Sequence, residues 1–141
     1  MTTSPGRDED HAGQPTSLEE PDPFARLLDL EVLEVADGRA RVALTAGPQH
    51  RNFLGLVHGG VVFSLADAAL AAASNSQGGT AVATVVTIHL LRASHPGDRL
   101  LAEAVQEHRG GRLGLYRIAV TRVPAAELVA VAQGQVAITR G

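Results

Sequence analysis

With 141 residues, 45% of them apolar and only 3% aromatic, the chain suits one domain with a core of Val, Leu, Ile and Ala. The absence of Cys excludes disulfides, thiolate metal sites and a Cys nucleophile. A net charge of −3 and the lack of Trp argue against a partner read through its phosphates or stacked bases, so no nucleic acid is expected.

Residues 1–21 are rich in Ser, Thr, Pro, Gly, Asp and Glu and lack periodic apolar positions; they are expected to form a disordered tail ahead of a domain at 22–141. No positively charged segment followed by an apolar run opens the chain, so a cytoplasmic location is expected. Asp22-Pro23 is a cap followed by a favoured first helical residue, which predicts a short helix over Phe24–Asp29. Leu30–Ala36 and Arg39–Thr45 alternate about Asp37-Gly38, a hairpin signal. Gly47–Val57 reads as a loop leading to His58-Gly59-Gly60.

Val61–Asn75 reads as a helix that is apolar all round and therefore buried on most sides. It is too short to span a bilayer and carries Asp67 at its middle, so no membrane is expected. Thr80–Ala93, Arg99–Glu107, Arg112–Val123 and Glu127–Thr139 read as strands joined by short turns. Two strands, a helix and four more strands predict an α+β domain with a curved antiparallel sheet around the helix.

Two features carry chemistry. The first N–H groups of a helix have no internal partner and sit at its positive end, and the glycines of His58-Gly59-Gly60 let a ligand come close. Such a site can hold a thioester carbonyl and the charge it develops; a tight turn needing Gly for steric reasons is the alternative. Asp67 is the only carboxylate between His58 and Arg92. A carboxylate in a buried helix costs stability unless paired, which suggests a general base or nucleophile; a solvated gap or a bond to Ser64 is the alternative. Gly59 and Asp67 are eight positions apart, roughly 12 Å along one helix at about 1.5 Å per residue. If both serve one reaction, they come from different subunits.

The run Asn52-Phe53-Leu54-Gly55-Leu56-Val57-His58-Gly59-Gly60 followed by Leu65-Ala66-Asp67 resembles the hotdog-fold thioesterases. Ala73-Ser74-Asn75-Ser76-Gln77-Gly78 resembles their phenylacetyl-CoA thioesterase subgroup. The resemblance implies a hotdog fold: a long central helix wrapped by a curved antiparallel sheet of about five to six strands. It implies hydrolysis of acyl-CoA thioesters, of phenylacetyl or related aryl or medium acyl groups, without cofactor or metal. By the same resemblance Asp67 is the catalytic carboxylate, Gly59 the backbone donor with Gly60 beside it, Asn52 the loop amide and His58 an orienting residue. It further implies a homodimer with shared sites and a continuous sheet, often a dimer of dimers. The chain departs from the subgroup at Ile88-His89 and Arg92-Ala93, where relatives tend to carry Ile-Asp and Arg-Pro. His89 is expected to alter the acyl pocket or the exposed sheet face.

Arg92, Arg109 and Arg112 suit the phosphates of CoA, and suit surface solvation equally. His89 and His95 lack a supporting carboxylate or third His, so no metal is expected. Ser64 is not in a nucleophile elbow. The rival readings are a hotdog dehydratase or hydratase, which would want a His–carboxylate pair, and a non-catalytic acyl-CoA binding module.

Overall fold

The computed structural model of the chain describes residues 17–139, so most of the expected tail lies outside the described residues. Residues 17–21, expected within that tail, instead form a turn closed by Glu20 N–H on the Ser17 carbonyl at 3.1 Å. They lie beside Ala68, Ala71 and Ala72 of the long helix. Asp22 caps the first helix, α1 (Pro23–Leu27), by accepting from Ala25 N–H at 2.8 Å. The helix is shorter than expected because Asp29 turns left-handed, at φ 62.

Strands β1 (Glu31–Ala36) and β2 (Arg39–Thr45) form the expected hairpin. Asp37 and Gly38 both have positive φ, 44 and 82, as a two-residue turn of this hand requires. A 3-10 turn at Pro48–His50 precedes helix α2 (Gly59–Ser74). Then follow β3 (Thr80–Leu90), β4 (Arg99–Arg109), β5 (Leu113–Val123) and β6 (Glu127–Thr139). The sheet is antiparallel throughout, in the order β1-β2-β4-β5-β6-β3.

All six strands reach α2. Leu65, Ala69, Leu70 and Ala73 of the helix are fully buried against them. The closest approach is at Gly134 of β6, where a Cβ would stand 2.5 Å from Leu70 Cδ2. Only Gly lets the helix sit this low on the sheet.

The helix is buried on most sides, as expected, and open on one. A single sheet covers one face of a helix, and a stripe through Phe63, Ser64, Asp67 and Ala71 is left uncovered or half-covered. Strand β3 is one of the sheet's two edges, β1 being the other, and shows Val82, Val85 and Leu90 at 60%, 53% and 54% exposure. A long apolar edge strand of this kind is ready to pair with another chain.

Candidate active site

The amino end of α2 is built by its cap. His58 stays extended, at φ −62 and ψ 136, and its Nδ1 accepts from Gly60 N–H at 2.8 Å. The Val61 and Val62 N–H groups both donate to the His58 carbonyl, at 2.9 and 3.3 Å. That leaves Gly59 as the first-turn N–H without a partner among the described residues. Gly60, expected beside it as a ligand contact, spends its N–H on the cap. A Cβ at Gly59 would meet Leu90 Cδ1 at 3.0 Å, so the glycine also keeps this end open.

Asn52 sits in the same hollow, of ≈ 230 Å³, with Gly59, Val62, Leu90, Arg92 and Ser94. Its Oδ1 accepts from Leu54 N–H at 2.8 Å and Leu56 N–H at 3.1 Å, which shapes the loop. Two donors on the oxygen fix the amide's orientation and leave its NH₂ group without a partner among the described residues. This end of the molecule therefore offers hydrogen-bond donors on an otherwise apolar surface.

The loop is anchored by a residue that composition alone does not mark. His50 is 1% exposed; its Nδ1 accepts from Gly47 N–H at 2.9 Å and its Nε2 donates to the Leu28 carbonyl at 2.8 Å. It is a satisfied core histidine that ties the loop to the end of α1.

Asp67 lines a different hollow, of ≈ 220 Å³, with Leu70, Ala71, Ser74, Ala81 and Ala83. Ser64 does not reach it: the hydroxyl donates to the Gly60 carbonyl at 2.8 Å. The carboxylate has no hydrogen-bond partner among the described residues. Burial pushes its pKa above the ordinary value for an aspartate, and the negative charge of Asp22 adds to the rise. An acid poised upward in an apolar hollow is suited to taking or sharing a proton.

The two hollows have no lining residue in common. The Asp67 hollow borders the start of β3, and the Gly59 hollow borders its end. The structure thus brings Asn52, Gly59 and Arg92 together and keeps Asp67 apart from them.

The three arginines separate. Arg92 lies on the Gly59 hollow, 56% exposed, and pairs with Glu127 at 3.3 Å. Arg109 is spent on structure at the opposite end of α2. Its guanidinium donates to the Ser74 carbonyl at 3.0 Å, the Gly78 carbonyl at 3.0 Å and Tyr116 Oη at 3.3 Å. A cation on the last carbonyls of a helix is favourable there and leaves few donors for a phosphate. Arg112 lies exposed in the neighbouring β4–β5 turn, away from Gly59. His89 is on the exposed sheet face beside Thr87, Val131 and Gln133, outside both hollows.

A long helix wrapped by one six-stranded antiparallel sheet is a hotdog fold. The solved structure of PaaI from Escherichia coli, a protein of the phenylacetic acid degradation operon, superposes with a TM-score of 0.82 at 38% identity, covering 85% of this chain and 86% of that one. A mutant of the phenylacetic acid degradation protein PaaI from Thermus thermophilus gives a TM-score of 0.79 at 38% identity, covering 83% of this chain and 99% of that one. The acyl-coenzyme A thioesterase PaaI of Escherichia coli is 39% identical over 125 residues, 89% of this chain and 84% of the relative. The profile of the thioesterase superfamily matches residues 54–128. The chain belongs to the thioesterase superfamily, and within it to the thioester hydrolases that resemble PaaI.

Proposed function

We propose that the protein hydrolyses acyl-CoA thioesters to CoA and a free acid, at sites shared between two subunits, and that phenylacetyl or a related aryl or medium acyl group is its substrate. One observation carries the shared site: unpartnered donors and an unpartnered carboxylate lie in separate hollows at opposite ends of the same edge strand. Strand β3 has eleven residues, roughly 36 Å at about 3.3 Å each. Antiparallel pairing of two β3 strands about a two-fold axis sets the start of one beside the end of the other. The Asp67 hollow of one subunit then faces the Gly59 hollow of its partner. The same pairing covers Val82 and Val85 and satisfies the open edge.

In this reading Gly59 N–H holds the thioester oxygen, and the Asn52 amide positions that carbonyl or the attacking water. Asp67 of the other subunit takes the water's proton or attacks the carbonyl itself; both routes need it ionised. In the first route water adds to the carbonyl, the carbon–sulfur bond breaks, and the proton held by Asp67 passes to the departing thiolate. In the second the bond breaks as an acyl–Asp67 anhydride forms, and water then cleaves that anhydride to restore Asp67, so that both routes release a carboxylate and the CoA thiol. His58 orients the helix end through its bond to Gly60. Arg92, which lines the Gly59 hollow, meets the CoA portion in this reading. No cofactor is required. The uncovered stripe of α2 around Phe63 suits a further contact, and a dimer of dimers in the cytoplasm completes the proposal.

Thiol release from a panel of acyl-CoA substrates tests it. Turnover that is fastest with phenylacetyl-CoA or its near neighbours supports the reading. Binding without thiol release would favour a non-catalytic acyl-CoA module, and hydration of an enoyl-CoA would favour a hydratase.

A further inference from the structure

The hollow at the amino end of α2 contains one polar side chain that neither the reaction nor the fold uses. Ser94 follows β3 and lines this hollow with Asn52 and Gly59. Its backbone is fixed, because its carbonyl accepts from Val57 N–H at 2.9 Å and so ties its loop to the site loop. Its side chain is not. Ser94 is 2% exposed, and its Oγ is the one buried side-chain polar atom without a hydrogen-bond partner among the described residues.

A buried hydroxyl with no partner costs stability, and Ala would fill the same space without that cost. Among the other residues of the hollow only Asn52 and Arg92 have polar side chains, and neither bonds it. No hydrogen bond holds its χ1 in any one staggered position. A polar group kept at a cost to the free protein, beside two other unpartnered donors, is what a binding site looks like before its ligand arrives.

We propose that Ser94 is a third donor of the thioester site: on substrate binding its hydroxyl turns into the hollow and donates to the thioester carbonyl alongside Gly59 N–H. A carbonyl oxygen has two lone pairs, and two donors on it leave the Asn52 amide free for the attacking water. The inference rests on reading this hollow as the thioester site of the proposed reaction.

The test compares wild type, Ser94→Ala and Ser94→Thr as full-length proteins, with phenylacetyl-CoA as the probe. It measures kcat and KM by thiol release, and Tm by thermal melting. The expected result for Ser94→Ala is a Tm equal to or above wild type with kcat lowered about tenfold to a hundredfold, because the donor acts on charge that develops in the transition state. Ser94→Thr keeps the hydroxyl and should retain most of the rate. Unchanged kcat and KM in Ser94→Ala, whatever the Tm, would overturn the proposal. So would a fall in activity matched by a fall in Tm and shared by Ser94→Thr, which marks a packing role. A wild type that releases no thiol from any acyl-CoA overturns the thioesterase reading and this inference together, whereas normal wild-type turnover with an unaffected Ser94→Ala overturns this inference alone.

Discussion

Gly59 and Asp67 stand eight residues apart on α2 and line separate hollows at the two ends of β3. Along one helix that is roughly 12 Å at about 1.5 Å per residue, and donors to a carbonyl must lie within about 3 Å. On the proposed mechanism, the placement of these two residues makes the edge strand, and what pairs with it, part of the chemistry.

Asp67→Asn should cost about 10²–10⁴-fold in kcat, the range for loss of a positioned base. It should also make the protein more stable at neutral pH. Burial holds the native pKa above its unfolded value of 3.8. Across the window from that value up to the native pKa, the native state binds more protons than the unfolded state, so stability falls as pH rises and stays lower beyond it. Melting curves should show Asn raising Tm above this window and having little effect below it. A lower Tm at pH 7 would mean the carboxylate is held by partners.

Asp22 should tune Asp67. Its charge is the second cause of the raised pKa, after burial. Asn caps a helix as well as Asp does, so Asp22→Asn removes the charge and keeps α1. The acid limb of kcat/KM against pH should move to lower pH with the plateau unchanged, because Asp67 then ionises more readily. An acid limb that stays in place would show that the Asp22 charge does not reach the site.

Arg109 and Arg92 should fail in different ways. Arg109→Met removes charge-assisted hydrogen bonds to Ser74, Gly78 and Tyr116, and should cost about 1.5–3 kcal/mol of stability. Its KM for acyl-CoA should be close to wild type. Arg92→Ala should raise KM several-fold with little change in Tm, since Arg92 is exposed beside the Gly59 hollow. The reverse pattern would assign the CoA phosphates to the far end of the helix.

Much of this architecture was legible in the residues, because local chemistry fixes it. Asp37-Gly38 makes the hairpin, Asp22-Pro23 starts α1, and β6 runs Glu127–Thr139, the bounds expected for the last strand. What was not legible depends on distant partners. Arg109 looks like a surface arginine until Ser74, 35 residues earlier, is seen beneath it. That β3 is an edge follows from its pairing with β6 across the β4–β5 hairpin, which sequence order does not reveal. Which side of the helix stays open was not legible either, because composition does not say which face one sheet covers. Gly59 and Gly60 are alike in sequence; only the cap distinguishes them, since His58 Nδ1 takes the second N–H and leaves the first.

The central claim is that each active site takes its donors from one subunit and its carboxylate from the other, and mixing two inactive variants tests it most directly. Asp67→Ala removes the carboxylate. Gly59→Pro removes the donor N–H at the first helical position, where proline is tolerated, and His58 before it already has the extended backbone that a following proline requires. The displaced Leu90 side chain is exposed and can move aside. Each variant alone should be folded and nearly inactive. After unfolding and refolding together, a mixed dimer has one site with both halves intact and one with both damaged, and thiol release should recover to about a quarter of wild type for a statistical mixture, since half the dimers are mixed and each carries one working site of two. Heterodimers that form, shown by mass, and remain inactive would contradict the account.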